Sequence, residues 1–168
     1  MNKKEMINQS LKEFIKETPV EIQEYLQKSK TLQQSKSWHP EGDAYTHIKI
    51  VFNRAIKLND INLIIAAVMH DLGKVDVTIK RSDDIYNTYG HENVSAKLVE
   101  KYRDWIESLG ANYEIVHYVV KNHMKAKLLL EMRSAKRRAF QTHRFYRYIM
   151  MFIELDNMQI DYSDDLND

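Results

Sequence analysis

Cysteine is absent from the chain, so no disulfide braces the fold and any metal must be held by nitrogen and oxygen donors. Glycine and proline are scarce, with four and two copies. Sandwiches and barrels need many tight turns, so this shortage points to helices. Charge of one sign is lacking as well: 25 Lys and Arg face 24 Asp and Glu, leaving +1. That balance gives no overall pull toward a polyanion or a membrane. No apolar run reaches the ~20 residues of a membrane span. The opening MNKKEMINQSLKEF has basic residues but none of the apolar stretch of a secretory signal. A soluble cytoplasmic protein without a membrane partner is the expectation.

What is present suits a folded domain. Of 168 residues, 43% are hydrophobic and 29% charged, enough to bury a core. Met6, Ile7, Leu11, Phe14 and Ile15 recur with helical rhythm. Thr18-Pro19-Val20-Glu21 predicts a capping box with proline at the first helical position, opening a short helix through Leu26. Residues 27–37 are polar and read as a linker or loose helix end. The chain thus divides into a helical extension, 1–37, and a main domain, 38–168.

Asp43 caps a helix whose stripe is Ala44, Ile48, Val51, Phe52, Ala55 and Ile56, and Asp60 caps INLIIAAVMHDLG, apolar nearly all round and stopped at Gly73. Residues 74–90 read as a long loop. Helices are expected from His91 to Leu109, from Tyr113 to His123, and, after basic Lys136, Arg137 and Arg138, over a last segment carrying Phe145, Ile149, Phe152, Ile153 and Ile160. No run reads as a strand. The predicted class is all-α.

Polar side chains on the apolar stripes are the informative feature. His47 shares its stripe with Ala44, Ile48, Val51 and Ala55; His91 lines up with Val94, Leu98 and Tyr102; His123 extends the face of Val116, Val119 and Val120; Asp156 is in register with Ile149, Phe152 and Ile153. Singly, each histidine is an ordinary core residue and Asp156 the partner of an arginine. Together with His70-Asp71 at the end of the most apolar helix, they point to a divalent ion shared between helices, since a lone buried carboxylate is costly. Adjacent residues of a helix point ~100° apart, so both reach one ion only near a helix end. His39, His117 and His143 read as surface or capping residues.

The string His70-Asp71-Leu72-Gly73-Lys74, with His47 upstream in HPEGDAYTH and Asp156 downstream, resembles the HD-domain metal-dependent phosphohydrolases. The likeness spans about residues 38–162, and the HPEGDAYTH, HDLGK and GHE segments are similar to the HD domains of bacterial CCA-adding tRNA nucleotidyltransferases and of phage polynucleotide kinases. The resemblance implies a compact helical domain in which His47, His70, Asp71 and Asp156 ligate a primary metal. His91 and His123 then match the extra ligands of two-metal branches, with Asp71 bridging. A one-metal site with His91 as a phosphate donor stays open, as does Asp161 in place of Asp156.

An all-N/O donor set suits Mn, Fe, Zn, Co or Ni, one ion or two. Asp71 and Lys74 are the expected catalytic residues, Asp71 orienting a water and Lys74 meeting a phosphate; the ordinary alternative for Lys74 is a cation serving a helix C-terminus. Lys80 and Arg81, in the loop leading to His91, are candidate phosphate clamps. Arg137 and Arg138 are candidate contacts to a nucleotide phosphate, or simply a solvated basic face. The expected reaction is hydrolysis of a nucleotide or of a nucleic-acid terminal phosphate, including 2′,3′-cyclic phosphates. The near-zero net charge mildly favours small nucleotides over long RNA, with RNA ends retained as partners. Two other readings remain at this point: a di-iron oxygenase of the same class, and a non-catalytic nucleotide-sensing module. The sequence leaves the oligomeric state open.

Overall fold

Side-chain caps set most of the helix starts that matter. In the computed structural model, which describes residues 10–158, Ser10 and Glu13 form a reciprocal capping box on α1 (Leu11–Lys16). The expected box at Thr18–Glu21 does not form. Pro19 itself occupies the cap of α2 (Val20–Ser29), which leaves the Thr18 hydroxyl to donate to Ile15 O at 2.8 Å. The Glu21 carboxylate instead accepts from Lys101 and from the Tyr102 hydroxyl. Met6, Ile7, Ile160 and Asp161 lie outside the described residues.

Asp43 caps α3 (Ala44–Lys57), accepting from Thr46 N at 2.8 Å. Asp60 caps α4 (Ile61–Met69), accepting from Asn62 N at 2.9 Å. Every residue of α4 except Asn62 is buried, so this helix is the floor of the core, as its all-round apolar sequence predicts. The expected stop at Gly73 has another cause. Gly73 has ordinary right-handed helical angles and starts a short turn, α5 (Lys74–Val77). A Cβ on it would stand 2.2 Å from His91 O and 2.8 Å from Val94 Cβ. Glycine is there to let two backbones touch.

The loop expected over 74–90 contains a hairpin, β1 (Ile79–Ser82) and β2 (Ile85–Asn87), paired antiparallel with Lys80 opposite Tyr86. Asp84 takes a positive φ of 59° at its turn. Both strands are largely exposed, so no apolar alternation marks them, and only β-branched and aromatic residues hint at pairing. The hairpin holds the segment before α3: Asp84 accepts from Lys36 N at 3.0 Å, and Ser35 Oγ accepts from Tyr86 N at 3.2 Å.

The predicted His91–Leu109 helix is two, α6 (His91–Lys101) and α7 (Arg103–Ser108), broken at Tyr102. Next come α8 (Tyr113–Lys127), capped by Asn112; α9 (Ser134–Gln141), which includes the basic Lys136–Arg138; and α10 (Tyr146–Leu155). The packing centres on α8, which contacts α4, α6 and α10, while α3 lies against α4. Leu11, Phe14, Ile22 and Leu26 of α1 and α2 are buried in the same core. Apart from the hairpin and one isolated bridge, the described residues form an all-α fold. None of the described helices is long and apolar enough to cross a membrane.

Candidate metal centre

Four imidazoles and two carboxylates meet where α3, α4, α6, α8 and α10 converge. His47, His70, Asp71, His91, His123 and Asp156 are all at most 3% exposed. His70 caps the C-terminus of α4 and Asp71 follows in the turn, so the two side chains can aim at one point although they are neighbours. His91 opens α6 after Gly90, whose φ of +84° turns the chain inward.

The donors form two groups that share Asp71. Its Oδ2 stands 3.5 Å from His47 Nε2 and 3.4 Å from His70 Nε2. Asp156 Oδ1 closes this group at 2.8 Å from His47 Nε2 and 3.6 Å from His70 Nε2. The other oxygen, Asp71 Oδ1, faces His91 Nε2 at 3.1 Å and His123 Nε2 at 3.7 Å. Donors about 2.1 Å from a common ion lie about 3.0–3.5 Å from one another, and both groups fall near that spacing.

Proton bookkeeping gives a second test of fit. Nδ1 of His70, His91 and His123 lies 2.9, 2.8 and 2.7 Å from the carbonyls of Ala67, Thr88 and Val120. Nδ1 of His47 lies 2.7 Å from Glu41 Oε1. A carbonyl or carboxylate only accepts, so each Nδ1 carries a proton and each ring, when neutral, presents a lone pair at Nε2. Yet Nε2 of His47 lies 3.3 Å from Nε2 of His70, and Nε2 of His91 lies 3.2 Å from that of His123. Lone pairs facing at this distance repel unless positive charge sits between them. The outward hydrogen bonds are also those that metal-bound histidines commonly make. The residues therefore fit one or two divalent ions.

Without an ion, a proton on His70 takes that role in the first group. Burial opposes a charge on His70, but Asp71 and Asp156 outweigh it and raise the imidazole to about 9. Burial pushes His123 down to about 4. Asp71 and Asp156 are desolvated too, yet cationic His70 with Lys74, and Lys127 with the histidines, hold them well below the usual carboxylate range.

Lys74, 4% exposed, places Nζ 2.7 Å from Asp71 Oδ2 and donates to Gln34 Oε1 at 2.7 Å. It is packed into the centre rather than serving a helix end. Lys80 lies on exposed β1 and reaches Asp83 at 3.8 Å. Arg137 bonds Met132 O, and Arg81 and Arg138 are exposed. None of these four has a hydrogen bond or ion pair to the cluster among the described residues.

Sequence reasoning missed four contributors. His39, read as a surface residue, is only 20% exposed in its side chain and lies edge-on to His47, with Nδ1 2.9 Å from Glu41 Oε1. Glu41 thus orients His47, and the two histidines hold its carboxyl down at about 2 despite burial. Lys127 sets Nζ 2.6 Å from Asp156 Oδ2; one turn beyond His123 on α8, it had a usable spacing signal. Gln34 sits in the stretch read as linker and is 4% exposed. His143 is exposed as read and stacks on Tyr118, while His117, 22% exposed in its side chain, pairs with Glu100. Arg54 Nη1 donates to Leu155 O and Asn157 O, both at 2.9 Å, clamping the end of α10 that carries Asp156.

The family model described as HD domain matches residues 44–156, well over half of the chain. No solved structure matches.

Proposed function

The chain belongs to the HD-domain family, typical of metal-dependent hydrolases, and on that premise we propose that it hydrolyses phosphate esters of nucleotides or of nucleic-acid ends. The observation that carries this reading is the pair of ammonium groups pressed against the metal-binding carboxylates, Lys74 on Asp71 and Lys127 on Asp156. Those carboxylates would hold the ion, and Lys74 and Lys127 stand beside them with positive charge to offer an anion. Such an arrangement suits an anionic phosphorus group better than a neutral substrate.

His47, His70, Asp71 and Asp156 would hold the primary ion, and His91 and His123 with Asp71 would hold a second. Mn, Fe, Zn, Co and Ni all suit the donors. Bound there, the ion supplies an activated water and polarises the phosphoryl oxygens. Asp71, between the two histidine pairs, orients the attacking water and accepts from it. Lys74 holds the phosphate from one side, and its burial makes that charge effective. Glu41 keeps His47 in the tautomer that presents Nε2. Lys80 and Arg81 of β1, and Arg137 and Arg138 of α9, are the cations available to more distant phosphates of a longer substrate.

The test is turnover of a panel of esters with Mn²⁺: 2′,3′-cyclic nucleotides, nucleoside mono- and triphosphates, dinucleoside polyphosphates and phosphorylated RNA ends. Hydrolysis of one class by the wild type, lost in Asp71→Ala, is expected and names the substrate. Metal binding without turnover of any ester, together with oxygen consumption, would overturn the reading.

A further inference from the structure

Gln34 is buried, and its amide is half used. The side-chain Oε1 accepts from Lys74 Nζ at 2.7 Å. An ammonium has only donors, so this contact fixes which end of the amide is oxygen. The other end, Nε2, is buried and has no hydrogen-bond partner among the described residues. Buried donors are rarely left so, and beside a candidate site such a donor suits an acceptor that arrives with a ligand.

Position says which acceptor. The amide oxygen and nitrogen are about 2.2 Å apart, so Nε2 lies no more than about 5 Å from Lys74 Nζ. That ammonium is itself 2.7 Å from Asp71 Oδ2, the oxygen facing His47 and His70. Two donors, one charged and one neutral, thus stand side by side at the edge of the metal centre. Asp71 and Asp156 already engage imidazoles and ammoniums there, leaving the incoming ligand to supply the lone pairs.

We propose that Gln34 is a substrate-binding residue whose Nε2 donates to an oxygen of the phosphate that Lys74 holds. The inference rests on the phosphohydrolase reading and adds a residue to it. Gln34 comes from the segment between α2 and α3, which the hairpin pins through Ser35 and Lys36, so its amide is delivered by a braced backbone. The donor is neutral and directional, and it selects for a phosphoryl oxygen in one orientation where the lysine alone would not.

Inorganic phosphate is the probe, titrated calorimetrically into Mn²⁺-loaded wild type, Gln34→Met and Gln34→Glu, with metal content and thermal stability measured in parallel. Met keeps the length and loses the donor; Glu keeps an acceptor for Lys74 and loses the donor. Phosphate binding is expected to weaken about tenfold or more in Met, and further in Glu, which adds like charge. Metal stoichiometry should be unchanged, and stability without phosphate no lower in Glu than in wild type. Phosphate affinity in Met within about twofold of wild type overturns the inference alone, since that is too small for a lost hydrogen bond to a charged group. So does loss of metal along with phosphate, which makes Gln34 a support for Asp71 and Lys74. A wild type that binds Mn²⁺ but no phosphate overturns the phosphohydrolase reading, and the inference with it.

Discussion

Gly73 shows how one atom can govern the second metal group. Its Cα faces His91 O and Val94 with no room for a methyl, and its N–H donates to the buried Ser95 hydroxyl at 2.9 Å. In Gly73→Ala, α6 must retreat from the turn at Gly73, carrying His91 away from Asp71 Oδ1. Overpacking of this kind costs about 1–3 kcal/mol, measurable by denaturant unfolding. Metal analysis is expected to give fewer ions per chain than wild type, with the deficit in the His91–His123 group. Full metal content in the alanine variant would mean that α6 shifts without turning His91. The residues legible in the sequence at this scale are those that contrast with their neighbours. His47, His91, His123 and Asp156 stand out because each interrupts an apolar stripe. Gln34 and Glu41 lie in polar loops, where one more polar residue carries no contrast, and only the fold reveals that they are buried or half-buried beside the cluster.

Among elements, the starts of α3 and α4 were readable from Asp43 and Asp60, because capping is local chemistry. The hairpin and the break at Tyr102 were not. The strands bury little, and the break is fixed by Tyr102 reaching Glu21 on α2, a contact 81 residues away in sequence. Two substitutions separate an element's stability from its role in the site. Asp60→Ala removes the cap of α4 and is expected to cost about 1 kcal/mol while leaving Mn²⁺ affinity near wild type, since His70 and Asp71 lie at the far end of that helix. Arg54→Leu takes two hydrogen bonds from the end of α10. Its cost is expected at about 2 kcal/mol, and because Asp156 follows Leu155 directly, Mn²⁺ affinity should fall as well. Unfolding curves and metal titrations of the two variants check this contrast. Equal metal affinity in both would show that α10 needs no clamp to present Asp156.

On the scale of the whole molecule, two predictions concern charge. The metal-free protein should be most stable near pH 6.5. His123, lowered to about 4, leaves the unfolded chain binding more protons between pH 4 and 6.5, so stability rises with pH there. His70, raised to about 9, leaves the folded chain binding more above pH 6.5, so its contribution is lost as pH climbs to 9. Unfolding midpoints across pH 4–10 with a chelator present test this, and monotonic behaviour would contradict it. At pH 7 Mn²⁺ binding should also release a proton, seen as a buffer-dependent binding enthalpy.

Charge is also segregated in a way that the net value of +1 conceals. From Lys121 to Arg147 the chain carries nine Lys and Arg against a single acid, Glu131. Lys121, Lys125, Arg133 and Lys136 are exposed there and have no ion-pair partner among the described residues. Changing these four to Gln is expected to leave turnover of a mononucleotide alone and to weaken binding of a phosphorylated RNA. The log–log salt slope for RNA should drop by up to about 3. An unchanged slope would mean that this face meets only water and counterions, and that the small-nucleotide expectation drawn from net charge stands.

His47 and Asp156 meet at 2.8 Å across 109 residues of chain, and a protein without cysteine has no covalent means to close so long a loop. An ion held by both residues closes it reversibly. Because the ion favours the folded state by mass action, the opening of α10 from α3 becomes a function of free metal concentration. When metal is withdrawn, α10 is then, among the described helices, the one most readily offered to a protease.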